Sequence, residues 1–107
     1  MFKYNEKNLI KQILVYIINT YTQHYSKNNL QATEVIIDSG YGKGFCIGNV
    51  LKYAQRYGKK GSHEDQRKDF LKLIHYDIIA WFIHDEEGVS DDERRSKERK
   101  SRSEEHT

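Results

Sequence analysis

The first part of the chain carries apolar residues at the spacing of one helical face. Between Lys7 and Tyr21 they recur at i, i+3, i+4 and i+7. The positions are Ile10, Ile13, Leu14, Ile17, Ile18 and Tyr21. This pattern predicts an amphipathic helix. Asn5 is expected to cap it, because a short polar side chain can accept a hydrogen bond from a free amide of the first turn.

A polar stretch follows this helix. The segment from His24 to Gln31 is rich in serine and asparagine and is expected to break the helix. A short apolar element then begins, Thr33-Glu34-Val35-Ile36-Ile37-Asp38. Its length and composition fit a helix or a strand equally well, so both alternatives stay open.

Two further helices are predicted in the second half of the chain. Four glycines, at positions 40, 42, 44 and 48, indicate a flexible connection into a helix from about Phe45 to Tyr57, which Gly58 and Gly61 would end. Ser62-x-x-Asp65 resembles a capping box with aspartate in place of the usual glutamate. An apolar stripe then predicts a third helix to about Glu86, through Phe70, Leu71, Ile74, Ile78, Trp81 and Phe82.

Residues 88–107 form a mixed-charge segment with almost nothing apolar to bury, so we expect a disordered tail or a frayed helical extension. Residues 1–87 are then one all-α domain, a helical bundle of three main helices plus the short element. An ordered part of this size is small for a lone core. We therefore expect a homo-oligomer, a dimer or a tetramer, in which the first and third helices bury their remaining apolar surface.

The composition of the chain argues against a membrane protein or a secreted protein. No apolar run approaches the roughly 18 residues of a membrane span. The N-terminus carries Lys3, Glu6, Lys7 and Lys11 and lacks the apolar block of a signal peptide, so a cytoplasmic protein without a membrane partner is expected. The single cysteine, Cys46, lies between two apolar residues and is predicted to be a small buried hydrophobe.

Positive charge is concentrated in the middle of the chain. Residues 43–72 carry eight Lys or Arg against three acids, whereas residues 73–87 carry four acids and no Lys or Arg. On the second predicted helix, Lys52 and Arg56 are four residues apart and share a face, with Asn49 and Tyr53 on the neighbouring strip. Such a face can hold a phosphate, with Tyr53 or Tyr57 beneath a base. The alternative is a solvated basic face.

The loop after this helix extends the candidate site. Lys59 and Lys60 lie between two glycines, next to the first amides of the third helix, which can bind an anion. Glu64 can hold Mg²⁺ or orient a ribose, or act as a helix-terminal acid. Asp65 and Asp69 are interpreted as helix-terminal acids neutralised by nearby cations, namely Arg67, Lys68 and Lys72. His24 and Tyr25 can contact a ligand or cap the first helix.

The sequence gives little support for a standard phosphate-binding motif, a metal site or a catalytic centre. Neither the P-loop nor the dinucleotide fingerprint is present. The spacing of His63, His75, Asp77 and His84 does not place three ligands on one helical face, so no metal is expected. No nucleophile with its base is apparent, so no catalytic residue is assigned, and no cofactor is expected.

The middle of the chain resembles a small bacteriophage family catalogued as a domain of unknown function. The pattern covers about residues 24 to 83. It is carried by His24-Tyr25, Glu34-Val35-Ile36, Phe45-x-x-Gly48-Asn49-x-x-Lys52-Tyr53-x-x-Arg56-x-Gly58-Lys59-Lys60 and Glu64-Asp65-x-x-Lys68. The same domain occurs in a nucleotide kinase of short-tailed coliphages that lacks a P-loop, so the resemblance implies nucleotide handling. The residues that it implicates are Gly48, Asn49, Lys52, Tyr53, Arg56, Lys60, Glu64, Asp65 and Lys68. The chain departs from the family pattern at Asp69, where alanine is usual, and in its apolar first helix.

We therefore expect a phage protein that binds a small nucleotide, such as a cyclic dinucleotide or another defence signal, in the infected bacterial host. It would sequester the nucleotide without turnover, as an anti-defence sponge. The alternative is a P-loop-independent (deoxy)nucleoside monophosphate kinase that positions phosphates with Lys52, Arg56 and Lys60. A further alternative, less favoured, is a host-takeover protein that binds nucleic acid through the basic segment and the tail.

Overall fold

The computed structural model describes the backbone of residues 1–105 and the side chains of residues 1–23, 28–89 and 95. This range contains four helices, α1 (Glu6–Thr22), α2 (His24–Asp38), α3 (Gly42–Arg56) and α4 (His63–Glu105), and no strand, which confirms the predicted all-α fold. The α3 helix packs most extensively against α4, while α1 contacts α2 and α4, and α2 also contacts α3. Within the described residues, no helix has the length and apolarity needed to cross a membrane.

The first helix has nearly the predicted bounds, but its internal face is only partly the predicted one. It buries Ile13 and half-buries Ile17 from the predicted stripe, and the side chains that join them inside are Tyr16 and Thr20. Asn5 is the N-cap residue of α1, as predicted, but the expected capping by its side chain is wrong. Asn5 has a left-handed backbone (φ 59°), and its side chain makes no capping hydrogen bond. A capping side chain reaches the first turn from an extended backbone, which this residue does not adopt.

The prediction that His24 to Gln31 breaks the helix is also wrong. The chain leaves helical geometry only at Gln23 (φ −83°, ψ 132°), and α2 begins at the next residue. Leu30, Thr33 and Ile37 share the inner face of α2, and Thr33 is buried. Packing of this face outweighs the weak helix propensity of the serine and asparagines. The short element whose type was left open is the last part of this helix.

The third helix starts earlier than predicted, at Gly42, so the expected flexible glycine connection is shorter. A Cβ at Gly42 would lie 2.7 Å from Cγ1 of Ile37 and 3.0 Å from Cδ1 of Ile83. Only glycine therefore lets α2, α3 and α4 approach this closely. Cys46 on the same helix is fully buried, as predicted, and burial raises the pKa of its thiol.

The predicted capping box begins α4. Ser62 Oγ accepts a hydrogen bond from the Asp65 amide at 3.2 Å, and the Asp65 carboxylate accepts one from the Ser62 amide at 3.0 Å. The helix continues past the predicted end at Glu86 to Glu105. The division of the chain into a domain over 1–87 and a tail over 88–107 stays a prediction, and residues 106–107 lie outside the described range.

Two stripes of large apolar side chains remain exposed, and we call them together the α1–α4 apolar face. On α1, the stripe is between 53% and 65% exposed and consists of Ile10, Leu14, Ile18 and Tyr21. On α4, it consists of Ile74, Ile78, Trp81 and Phe82. Between them lies an apolar groove of about 360 Å³ that α2 also lines. Fully buried hydrophobic residues in the described part of the chain are few, namely Ile13, Cys46 and Ala80. Much apolar surface is therefore left for a further contact.

Candidate functional site

Four basic side chains line one cleft between the end of α3 and the start of α4. Arg56 is the last residue of α3, Lys60 lies in the following loop, and Lys68 and Lys72 are one turn apart on α4. Because residues four apart share a helical face, the two α4 lysines lie on the same side. The cleft has a volume of about 270 Å³. This cationic cleft combines a planar guanidinium with three ammonium groups, a set suited to phosphate oxygens, and Gly61 and the Asp65 carboxylate complete its lining.

A buried carboxylate holds Arg56 at the cleft. Arg56 Nη2 lies 3.2 Å from Oδ1 of Asp69, whose side chain is 1% exposed against 42% for Arg56. The contact has the distance of an ion pair, and within the described side chains neither Asp69 oxygen accepts a well-aligned hydrogen bond. Arg56 therefore compensates the buried charge. Arg67, Lys68 and Lys72 were predicted to neutralise Asp69. This prediction is wrong, because the ion-pair partner of Asp69 is Arg56 on α3.

The loop side of the cleft is shaped by Gly61 and the α4 capping box. Gly61 has φ +88°, and a Cβ there would lie 2.7 Å from that of Asp65. The hydrogen bonds from the Ser62 backbone and side chain, with smaller contributions from Lys68 and Arg56, lower the pKa of Asp65. The expectation that the first α4 amides bind a ligand is wrong for Asp65 and Gln66, because both amides donate to Ser62.

Tyr53 lies beside these cations. Its ring centroid is 5.2 Å from Lys52 Nζ, 5.4 Å from Lys72 Nζ and 5.6 Å from Arg56 Cζ. The ring also stacks on Tyr76, with centroids 6.1 Å apart and 15° between the planes. An aromatic face attracts cations. The Tyr53 ring therefore holds the charged groups of Lys52, Arg56 and Lys72 near one another, although these groups repel each other. A bound anion would relieve that repulsion.

A second space adjoins the cationic cleft, and Lys72 lines both. We call it the tyrosine-lined cavity; its volume is about 250 Å³. Its rings are Tyr16 from α1, Tyr53 from α3, and His75 and Tyr76 from α4. Tyr16 and His75 meet edge to face, with centroids 6.1 Å apart. Burial raises the pKa of Tyr16 and Tyr76 and lowers the pKa of His75, so these three side chains are uncharged at neutral pH.

The fold brings several predicted site residues together. Arg56, Lys60 and Lys68 line the cationic cleft, and Tyr53 lines the adjoining cavity. Lys52 is exposed, with its ammonium over the Tyr53 ring. These residues are close enough to contact one ligand. Their role in binding stays a prediction.

Two predicted residues, Asn49 on α3 and Tyr57 directly after it, are engaged elsewhere. Asn49 Nδ2 donates to the carbonyl of Phe45 at 2.9 Å, one turn back along its own helix. The Tyr57 ring packs on Phe70, with centroids 4.5 Å apart. Neither lines the cationic cleft or the tyrosine-lined cavity.

The remaining predicted residues also lie outside the cleft or outside the described side chains. Glu64 is 3.3 Å from Arg67 Nη1 and lines a separate groove between α1 and α4 of about 490 Å³. Lys59 is exposed and does not line the cleft, although it is adjacent to Lys60. The side chains of His24 and Tyr25 lie outside those that the structure describes.

Several residues that line the two spaces are not predicted by any motif, among them Lys72, Tyr76, Tyr16 and Asn29. Lys72 and Tyr76 continue from Lys68 in four-residue steps along α4, a signal that was present in the sequence. Tyr16 and Asn29 come from α1 and α2. Only the packing of helices far apart in sequence places them beside α3 and α4.

The cleft lies in a segment that matches a known protein family. Residues 19–77, more than half of the chain, match the family described as a protein of unknown function, DUF3310. The chain belongs to the DUF3310 family. This confirms the predicted resemblance to a small bacteriophage family of unknown function. The four cations of the cleft lie inside the matched segment, whereas Tyr16 precedes it.

A similar protein is the Gene 1.7 protein of Enterobacteria phage T3, which is 39% identical over 61 residues. The match covers 53% of this chain and 37% of that protein, so the chain spans little more than a third of the relative's length. No solved structure matches the chain significantly.

Proposed function

We propose that this DUF3310 protein binds a nucleotide, with the phosphates in the cationic cleft, and sequesters it without turnover. The observation that carries this function is the convergence of Arg56, Lys60, Lys68 and Lys72 on one cleft beside stacked tyrosines. Cations favour a phosphate, and adjoining rings favour a phosphate that carries a base over an inorganic one. In an infected host, such a protein would act as a sponge for a nucleotide defence signal, for example a cyclic dinucleotide.

The state of the acids near the cleft favours binding without turnover. Asp65 is engaged in the α4 capping box, and Asp69 is paired with Arg56. A carboxylate that is already engaged is poorly placed to act as a general base or to hold a catalytic metal ion. In the described part of the chain, no three acids, histidines or cysteines are grouped for a metal.

A thermal-shift screen with two matched variants tests binding. The probes are nucleoside mono- and triphosphates and cyclic dinucleotides, and a ligand at 100 times its dissociation constant should raise stability by about 2.7 kcal/mol. Lys60→Ala should weaken binding about 10-fold, because it removes one charge-assisted contact. Lys59→Ala, the control, removes an adjacent exposed lysine outside the cleft and should leave affinity unchanged. Equal losses in both variants, or no stabilisation by any probe, would contradict the assignment.

The kinase alternative is favoured by one observation. Lys68 lines both the cationic cleft and the groove that contains Glu64, so two ligand spaces meet at one lysine, as phosphoryl transfer between two nucleotides requires. Incubation with nucleoside monophosphates and ATP separates the two functions. Steady production of diphosphates would support the kinase and exclude sequestration. Release of an intact nucleotide from heated protein, identified by mass, would support sequestration.

A further inference from the structure

We infer that the tyrosine-lined cavity is the subsite for the base of the nucleotide and that Asn29 selects the base, roles that rest on the proposed nucleotide binding. The position of the cavity supports this. Lys72 lines both spaces, so a phosphate on Lys72 in the cleft places the rest of the nucleotide at the mouth of the cavity. Tyr53, 5.6 Å from the Arg56 guanidinium, forms part of the wall there.

The lining of the cavity suits a nucleobase. Tyr16, Tyr53 and Tyr76 offer aromatic surface to a planar ring, and base stacking on such surfaces tolerates any base. Discrimination between bases needs a polar group with a defined donor and acceptor. Two hydroxyls in the lining are already engaged, since Thr20 Oγ1 donates to a carbonyl of its own helix at 2.7 Å and Thr33 Oγ1 does so at 3.0 Å.

The lining also holds the tyrosine hydroxyls and the neutral His75 imidazole, and Asn29, which is exposed, is the residue with an amide side chain. An amide presents one carbonyl acceptor and two N–H donors, the same kinds of groups that a base presents along its edge. Replacement of the Asn29 amide by the methyl group of alanine should therefore change which nucleotide binds most tightly. The attraction for phosphate comes from the lysines and Arg56 and should persist.

The volume limits how much ligand enters. At about 250 Å³, the cavity is below the roughly 300–1,000 Å³ typical of pockets that enclose drug-sized ligands. A cavity of this volume suits one base better than two. A cyclic dinucleotide would then place one base in the cavity of a subunit and leave the other outside it.

Isothermal titration calorimetry on the full chain tests the assignment. The probes are inorganic tripolyphosphate and the triphosphates ATP, GTP, CTP and UTP, which share the phosphates and differ in the base. At least one nucleotide should bind about 10-fold or more tightly than tripolyphosphate, since stacking adds to the phosphate contacts. If tripolyphosphate binds as tightly as every nucleotide, the base subsite is overturned while the phosphate cleft stands. If neither these probes nor the cyclic dinucleotides of the thermal-shift screen bind, the proposed function itself fails.

Matched asparagine variants test the selecting role. Asn29→Ala should change the ranking of the four nucleotides several-fold and leave the affinity for tripolyphosphate unchanged. Asn28→Ala is the control, because Asn28 is exposed like Asn29 but does not line the cavity. A uniform loss for all nucleotides in Asn29→Ala, or identical behaviour of the two variants, would overturn the role. Circular dichroism of both variants confirms that the helices are retained.

Discussion

The ion pair between Arg56 and Asp69 leads to an asymmetric prediction. Arg56→Ala leaves the Asp69 carboxylate, 1% exposed, without its ion-pair partner. Breaking a buried pair from one side costs about 3–5 kcal/mol, because a buried charge is left uncompensated. Since Arg56 is 42% exposed, water weakens the contact, and we expect the lower end of this range, about 3 kcal/mol.

Removal of the acid should cost far less. In Asp69→Ala, the guanidinium that remains is half exposed and can be solvated, so we expect a loss of about 1 kcal/mol. The double variant has no buried charge left and should resemble Asp69→Ala. The two substitutions are therefore coupled by about 3 kcal/mol.

Urea denaturation followed by circular dichroism, at neutral pH and fixed protein concentration, gives the free energy of unfolding of all four proteins. If Arg56→Ala loses less than about 1 kcal/mol, or if Asp69→Ala loses as much as Arg56→Ala, the view of Arg56 as the counter-charge of a buried carboxylate is refuted. One practical consequence follows. Arg56→Ala can lose binding because it is less stable, so Lys60→Ala is the better probe of the cleft.

Three further predictions concern packing, pH and assembly. Gly42→Ala should destabilise the protein by about 1–3 kcal/mol because the new methyl meets Ile37 at 2.7 Å. Gly44→Ala on the same helix, with nothing within 4 Å, should stabilise it by about 0.5–1 kcal/mol, and urea denaturation measures both. Burial holds the pKa of His75 below its unfolded value, so its neutral form stabilises the native state; this contribution is complete above the unfolded pKa of about 6.5 and is lost as the pH falls through the folded pKa. His75→Gln should therefore lose less stability than the wild type on acidification from about pH 7.5 to about pH 5, and parallel pH profiles would contradict this. We propose that a second copy of the chain covers the α1–α4 apolar face; light scattering should then show a dimer or larger wild-type assembly, and Ile18→Glu should dissociate it, whereas a monomeric wild type would refute the proposal.

The sequence predicts three helices well because their apolar residues repeat with a helical period. For α1, this period includes Ile13 and Ile17, which lie inside, but also Ile10, Leu14, Ile18 and Tyr21, which stay exposed. The α2 helix could not be predicted in the same way, because its first half carries serine and asparagine, whose local preference is against a helix. What stabilises α2 is the burial of Leu30 and Thr33 against other helices, and a local pattern does not contain that information.

Prediction of the site has the same limit. The cations Arg56 and Lys60 belong to one segment, and their joint placement follows from local spacing. The contribution of Lys72 depends on how α3 packs against α4, and that of Tyr16 depends on where α1 is placed. The spacing of residues along one helix thus predicts a basic face. Whether that face is solvated or lines a cleft depends on how the other helices pack against it.

The buried Asp69 carboxylate also helps the fold to accommodate a positively charged cleft. The exposed cations Arg56, Lys60 and Lys68 repel one another across a small space, which opposes folding. Asp69 offsets part of that repulsion from the protein side of Arg56, where no solute can reach it. Asp65 lines the cleft as well, but its carboxylate accepts the hydrogen bond from the Ser62 amide in the α4 capping box. Asp69, in the interior, keeps Arg56 in position and leaves the outward part of the guanidinium, with its remaining N–H donors, for phosphate oxygens.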